Sequence, residues 1–175
     1  MVIGKIKNNK LEVLLLAVLL VVTVFLRVPN LGYSDYIGDE HKAFIELEPG
    51  DDLYTFFTNQ RKGPMQFIVS YIPYIFTGDF HNELAERIPF TLFSIASVFV
   101  FYAFIKRWFD NKWIAFSSAF LFSVNGFIVG FSRIAQYQNL NLFFSALALY
   151  FYVDFLKPSE NLMRNTLFGT VAFSL

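Results

Sequence analysis

The sequence predicts an all-α integral membrane protein: a multi-span helical bundle with about four spans, the start of a fifth, and a long external loop after the first. Hydrophobic residues make up 55% of the 175 residues and charged residues only 16%, against ~25% charged in an average soluble domain. Apolar runs recur at about 20 residues, the length that crosses ~30 Å of hydrocarbon. Basic and acidic residues are also segregated along the chain, which orients the helices.

The composition excludes several classes of protein. A disordered chain has low hydrophobicity and high net charge, which is the reverse of what is found. The absence of cysteine excludes disulfide scaffolds, thiolate metal sites and cysteine nucleophiles. Fourteen basic and fourteen acidic residues balance to zero, so no general nucleic-acid footprint is present.

The apolar runs place the predicted spans at about 11–27, 88–105, 113–131 and 140–156, with the start of another at 166–175. The first follows three lysines, a layout that a signal peptide shares. No small-residue cleavage site follows it, so we predict an uncleaved helix and keep a signal peptide as the alternative. The last run, 166–175, is only about half a span, and half a span would leave backbone groups without hydrogen bonds in lipid. We therefore expect residues 1–175 to be the N-terminal part of a longer transmembrane domain, with a membrane-interface helix as the alternative for the last run.

Charge decides the predicted orientation. The connectors on one side hold eight basic residues: Lys5, Lys7, Lys10, Lys106, Arg107, Lys112, Lys157 and Arg164. The loop 28–87 holds ten acidic residues against four basic ones. By the positive-inside rule we predict a multi-pass protein of the plasma membrane, with a cytoplasmic N-terminus and an external loop. The run 65–76 is too short to cross, and we expect it to lie at the interface or re-enter.

Two patterns in the loop are candidates for chemistry. The adjacent acids Asp39 and Glu40 can supply a base, a metal ligand or a hydrogen-bond acceptor, although a solvated acidic loop gives the same pattern. The cations Arg61 and Lys62 precede a Gly-Pro turn. They suit a lipid phosphate, and cations that snorkel to the headgroups are the alternative.

Two further patterns lie at the external ends of predicted spans. Arg87 begins the second span, where it either pairs with a loop acid or anchors at the headgroups. Arg133 is followed by the amides Gln136, Gln138 and Asn139. Gln138 and Asn141 are three residues apart and share a helix face, which faces either a cavity or a neighbouring helix.

The order of these motifs resembles glycosyltransferase family 39, which includes protein O-mannosyltransferases and lipid A aminoarabinose transferases and has the GT-C membrane fold. The resemblance covers nearly the whole chain. It rests on these matching pieces: Arg27-x-Pro29, Asp39-Glu40, Lys62-x-Pro64, Glu86-Arg87-x-Pro89 and Ser132-Arg133.

The resemblance implies transfer of a sugar, with inversion, from a polyprenyl-phosphate donor to an external acceptor on a protein, lipid or glycan. Asp39 matches the acid that acts as general base, and Glu40 would orient Asp39, contact the acceptor or help hold a metal. Arg133, Lys62 and Arg87 are candidates for binding the leaving phosphate, and Gln138 for binding substrate. No nucleotide cofactor is implied, because the lipid phosphate already activates the sugar.

One departure from the family pattern bears on whether the protein uses a divalent metal. Many relatives have an acid shortly after the Ser-Arg pair, whereas the stretch 136–139 here holds amides. An amide lacks the charge that a metal prefers, so the use of a divalent metal is left open, as is the identity of the sugar. Because family enzymes have more spans, we expect the 175 residues alone to be inactive.

Two other functions fit parts of the sequence. A non-catalytic protein that binds polyprenyl lipids, or an inactive truncated relative, would keep the topology without needing a base. A transporter or channel subunit would place ionisable groups on a path through the membrane. The spans hold few such groups beyond Glu12 and Asp154, each near a cytoplasmic end, and this disfavours transport.

Overall fold

The computed structural model describes residues 2–45, 47, 50, 52–60, 63–153 and 162–175, with side chains from residue 10 onwards. Its described residues form helices and no strand, so the predicted all-α class is confirmed. The helices are α1 (Val2–Arg27), a 3₁₀ turn (Glu40–Ala43), α2 (Leu53–Asn59), α3 (Pro64–Thr77), α4 (Glu83–Phe109), α5 (Lys112–Val124), α6 (Gly126–Phe131), α7 (Gln138–Tyr152) and α8 (Leu162–Ser174).

Helix α4 is the longest element and the centre of the packing. It begins after Asn82, whose Oδ1 accepts a hydrogen bond of 3.0 Å from Ala85 N, and ends at Asp110 in the left-handed conformation. Its 27 residues rise to a length of about 40 Å. In the part of the chain that the structure describes, α4 is the helix long and apolar enough to cross a membrane; α5 is apolar but shorter.

The predicted run 113–131 is divided into α5 and α6 at Asn125. The side chain of Asn125 accepts hydrogen bonds from Phe127 N (3.1 Å) and Ile128 N (3.2 Å), and so caps a new helix. An asparagine that bonds its neighbours' backbone competes with the helical hydrogen bonds at that point. The break therefore has a local chemical cause.

The loop between α1 and α4 contains the short helices that the sequence predicts there. Helix α3 has 14 residues, a length of about 21 Å that falls short of the ~30 Å hydrocarbon core. One face of α3 buries Phe67 and Ser70, and the other exposes Ile72 and Phe76. This length and exposed apolar face fit the expectation of a helix that lies at the interface.

The helices pack around two apolar clusters. Helix α4 packs most extensively on α7, α7 packs on α8, and α1 packs on α5. The first cluster lies near the 3₁₀ turn and contains Ala43, Phe44, Val69, Phe90, Ala135 and Leu140. The second lies between α1, α4 and α5 and contains Leu19, Val98, Tyr102, Ala115 and Ala119. The end of the fourth predicted run, 154–156, lies outside the described residues.

We expect Gly32→Ala to destabilise the protein, because the added Cβ would lie 2.8 Å from Leu84 Cβ on α4. Overpacking of this kind costs about 1–3 kcal/mol. Thermal unfolding in detergent would report the loss as a lower midpoint. Gly126→Ala is the matched control, because a Cβ there meets nothing within 4 Å. Equal midpoints for the two variants would contradict the close approach of the loop to α4.

Candidate functional site

The two adjacent acids of the loop have opposite environments. Glu40 begins the 3₁₀ turn and is fully buried, whereas the side chain of Asp39, just before the turn, is 55% exposed. The turn thus directs one carboxylate into the bundle and leaves its neighbour accessible to solvent.

The carboxylate of Glu40 accepts four hydrogen bonds. Its Oε1 accepts from Arg87 Nε at 2.9 Å and from Ala135 N at 2.7 Å. Its Oε2 accepts from Arg87 Nη2 at 2.8 Å and from Ile37 N at 2.7 Å. Arginine and carboxylate are paired in the bidentate geometry that gives the strongest charge-assisted hydrogen bonds.

The guanidinium of Arg87 also binds the loop backbone. Its Nη1 donates to Leu31 O and Ser34 O, and its Nη2 donates to Asp35 O, each at 2.9 Å. The guanidinium lies 5.6 Å from the ring centroid of Tyr36. All five N–H groups of Arg87 therefore have an acceptor, as a buried charge requires. The sequence left two alternatives for Arg87, a pairing with a loop acid or an anchor at the headgroups. In the structure Arg87 pairs with the loop acid Glu40.

Aromatic side chains line the loop beside this ion pair. Tyr36 Oη donates to Phe80 O, and Phe44 packs edge-on against Tyr36 and stacks on Phe80 with ring centroids 5.0 Å apart. Burial, together with the negative charge of Glu86 and Glu83, raises the pKa of Tyr36 above its ordinary range. A raised pKa favours the protonated phenol, the form that donates to Phe80 O.

Lys42 lies beside Asp39, with 2.7 Å between its Nζ and Asp39 Oδ1. The turn that holds both residues is tied to α3, because Gln66 Nε2 donates to Lys42 O (2.9 Å) and Ser70 Oγ donates to Ala43 O (2.6 Å). The sequence analysis did not identify Lys42 as a site residue. Its three-residue spacing from Asp39 within a helical turn is the signal that would have found it.

Arg133 contacts the backbone at the end of α1. Its Nη2 donates to Pro29 O (2.7 Å) and Asn30 O (3.3 Å), and its Nη1 donates to Leu26 O (3.3 Å) and Arg27 O (3.4 Å). A cation at these carbonyls satisfies the unpaired acceptors of a helix C-terminus. The structure thus gives Arg133 a contact that holds α1 against the turn before α7.

A second buried arginine lies at the last residue of α1. Arg27 is fully buried and donates from Nε to Ser94 Oγ of α4 (3.2 Å) and from Nη1 to Ser123 O of α5 (3.0 Å). It therefore joins three helices. The sequence analysis used Arg27 only as part of a motif, since nothing local shows which helices a side chain will reach.

Gln138 begins α7 and lines a cleft of about 280 Å³ between α6 and α7. Asn141 and Ser145 line the same cleft, so the predicted shared face of Gln138 and Asn141 is confirmed. Aromatic rings of Phe127 and Phe131 form the opposite wall. The Oε1 atom of Gln138 is buried without a hydrogen-bond partner among the described residues.

The remaining expectations concern the cations Arg61 and Lys62 and a divalent metal ion. Lys62 and Arg61 lie outside the described residues, so the structure gives no contact for either. Within the described ranges, no three histidine, aspartate or glutamate side chains come together in a way that could hold a metal ion. Glu86 is fully buried, and neither of its carboxyl oxygens has a partner among these residues.

We expect Glu40→Gln to lower the stability of the protein far more than Asp39→Asn. Breaking a buried ion pair leaves Arg87 uncompensated and costs about 3–5 kcal/mol, whereas an exposed pair such as Asp39–Lys42 contributes about 0–1 kcal/mol. Thermal unfolding in detergent compares the two neighbouring variants. The double variant Glu40→Gln with Arg87→Gln should lose less than the two single losses added together. Equal midpoints for Glu40→Gln and wild type would show that the pair has no structural role.

Comparison with known proteins tests the resemblance to glycosyltransferase family 39, from which the candidate site residues were chosen. The family model of the dolichyl-phosphate-mannose-protein mannosyltransferases matches residues 62–175, which is roughly two thirds of the chain. The matched part includes Arg87, Arg133 and Gln138, and Asp39 and Glu40 precede it. Neither the curated proteins nor the solved structures gave a match. The expected resemblance is confirmed: the chain belongs to the dolichyl-phosphate-mannose-protein mannosyltransferase family, a family of membrane glycosyltransferases.

Proposed function

We propose that the protein transfers a sugar from a polyprenyl-phosphate donor to an acceptor hydroxyl or amine at the external face of the membrane. The observation that carries the proposal is the contrast between the two acids, one buried in an ion pair and one exposed beside it. The Glu40–Arg87 pair attaches the loop that bears Asp39 to α4 and to the turn before α7, both within the matched family region. An exposed carboxylate on a rigid support is what a general base requires.

In the proposed reaction Asp39 takes the proton of the acceptor. The acceptor atom forms a bond to the anomeric carbon of the sugar while the bond from that carbon to the phosphate oxygen breaks. The lipid phosphate leaves with the electron pair, and attack from the opposite side inverts the anomeric configuration. A hydroxyl is a weak nucleophile, so removal of its proton as the bond forms lowers the barrier.

The cations divide into three proposed roles. Lys42, which pairs with Asp39, orients the base, and Lys62 binds the negative charge that develops on the leaving phosphate. Arg87 and Arg133 act as positioning residues, because they donate hydrogen bonds to Glu40 and to backbone carbonyls. Glu40 likewise positions Asp39 by fixing the turn.

The cleft between α6 and α7 is the proposed place for the uncharged part of the donor. Its stripe of Gln138, Asn141 and Ser145 offers amides and a hydroxyl to sugar hydroxyls, and Phe127 and Phe131 offer apolar faces. Ligand sites commonly combine a mostly apolar lining with a few convergent polar groups. Polar residues on a membrane helix also tend to face such a cavity.

The proposal includes a multi-pass topology with a cytoplasmic N-terminus and an external loop 28–87. Support comes from the distribution of charge, with basic residues at the α4–α5 turn and acidic residues in the loop. The length of α3, which is too short to cross, is consistent with a loop that stays on one side.

We expect Asp39→Asn to lower sugar transfer by about 10²–10⁴-fold, the usual contribution of a general base, without changing membrane insertion. The assay uses membranes that contain the intact protein, labelled polyprenyl-phosphate-mannose and an acceptor peptide. Asp35→Asn is the matched control, because it makes the same change to an exposed acid of the same loop. Normal transfer by Asp39→Asn would overturn the assignment. Binding of the donor by the wild type without turnover would support the non-catalytic alternative instead.

We expect Gln138→Leu to raise the KM for the lipid-linked donor by about tenfold, the loss expected for one hydrogen bond worth ~1.4 kcal/mol. The value of kcat should change little, because the amide contacts the sugar away from the reacting bond. Gln60→Leu, at the end of α2 and outside the cleft, is the control. A fall in kcat with an unchanged KM would contradict a binding role for Gln138.

A further inference from the structure

We propose that Glu86 acts as a pH-sensitive switch: the loop segment 28–45 closes over the start of α4 while this buried carboxyl is neutral, and ionisation of the carboxyl favours opening of the segment. Glu86 has no part in the proposed sugar transfer. The switch is independent of that function, because it concerns the closure of the loop and no chemical step.

Glu86 lies in the first turn of α4, under the loop. Phe90, one turn further along the same face of the helix, belongs to the apolar cluster that contains Phe44 of the loop. Arg87, the next residue after Glu86, donates to three carbonyls of the loop. Glu86 is also close enough to Tyr36 for its charge to act on the phenol. The loop segment 28–45 thus forms part of the cover over Glu86.

The carboxyl of Glu86 has no compensating contact. Its side chain is fully buried, and neither oxygen has a hydrogen-bond partner among the described residues. An ionised carboxylate in such surroundings is costly, so the group keeps its proton instead. Burial raises the pKa of Glu86 to about 8. Because Glu86 precedes the predicted span 88–105, its proton can exchange with water when the loop opens.

The charged groups nearest in the sequence and in the loop do not neutralise Glu86. Arg87 donates to Glu40 and to the loop carbonyls. Glu83 lies in the same turn of α4 and is a second acid. Tyr36 faces Glu86 from the loop, and its own raised pKa keeps the phenol neutral.

The other elements around α4 supply no cation for Glu86 within the described ranges. Helices α3 and α7 contain no charged residue, and tyrosines such as theirs ionise at about pH 10 in water. In the turn before α4, His81 contacts Asp79. Arg133, before α7, donates to carbonyls at the end of α1, and Arg27 of α1 reaches α4 at Ser94, two turns beyond Glu86.

The direction of the pH effect follows from the two environments of the carboxyl. In the open loop water reaches Glu86, and its pKa returns towards the ordinary value of about 4.3. As the pH rises from about 5 to about 8, the open state loses this proton and the closed state keeps it, so closure is progressively disfavoured. The Glu40–Arg87 pair opposes opening at every pH in this range. Glu86 therefore changes how often the loop opens and does not release it outright.

Hydrogen exchange of the intact protein in detergent, followed by mass spectrometry, tests the proposal. Wild type and Glu86→Gln are compared at the same pH, so that the intrinsic exchange rate cancels. At about pH 8 we expect the amides of residues 31–44 to exchange about tenfold faster in the wild type than in the variant, and at about pH 5 at similar rates. Amides of α5 should exchange alike in both proteins. Glu83→Gln is the matched control, because it removes an acid from the same turn and should keep the wild-type pattern.

A second variant keeps the test decisive if the buried amide of Glu86→Gln disturbs the fold. Glu86→Met keeps an unbranched side chain without a polar group, and it should lose the pH dependence in the same way. The thermal midpoint of the wild type should fall by about 5–10 °C between about pH 5 and about pH 8, and that of Glu86→Met by less. Exchange by both Glu86 variants at the wild-type rate at the higher pH would overturn the proposal. Equal slowing of exchange by Glu83→Gln would also overturn it, by showing that the effect belongs to the general charge of the turn.

Discussion

The buried ion pair between Glu40 and Arg87 is the interaction on which the arrangement of the external loop depends. Two charges removed from water are stabilising together only when every donor and acceptor is satisfied. Here the carboxylate accepts four N–H groups and the guanidinium uses all five of its own. Since three of those acceptors are loop carbonyls, the loop cannot leave α4 without exposing the charge of Arg87 to an apolar interior.

The same interaction explains how two neighbouring acids acquire different environments. Backbone bonds of the 3₁₀ turn and its links to α3 hold Glu40 inside. Asp39 is left at the surface, with Lys42 beside it. A rigid support for an exposed carboxylate lowers the entropic cost of placing the base against an acceptor. The buried acid thus fixes the turn that carries the exposed acid, and this arrangement supports the proposed mechanism.

Asparagine caps determine where several helices begin. Asn82, Asn111 and Asn125 each accept backbone N–H groups at the start of α4, α5 and α6. Such caps satisfy donors that a helix N-terminus leaves unpaired. At Asn125 the cap also ends α5, so the chain turns before the cleft that Gln138 and Asn141 line. A local hydrogen-bonding preference therefore helps to shape a candidate binding site.

The sequence by itself determined the helical class, the positions of most helices, the short elements in the loop and the family. These properties depend on composition, on apolar periodicity and on motifs of a few residues, and such information is local. The shared face of Gln138 and Asn141 was predictable for the same reason, because a helix repeats every 3.6 residues. The break between α5 and α6 at Asn125 also has a local cause. It was not predicted, because apolar residues continue on both sides of Asn125.

Only the tertiary structure decided which partners the buried charged residues take. Glu40 and Arg87 are 47 residues apart, and Glu40 and Ala135 are 95 apart. The sequence left open whether Arg87 pairs with a loop acid or anchors at the headgroups, and it offered ten acids in that loop. It likewise gave no means of knowing that Arg133 binds the carbonyls at the end of α1. Pairings over such separations depend on how whole helices pack, because burial decides which charges must be neutralised and which can remain exposed.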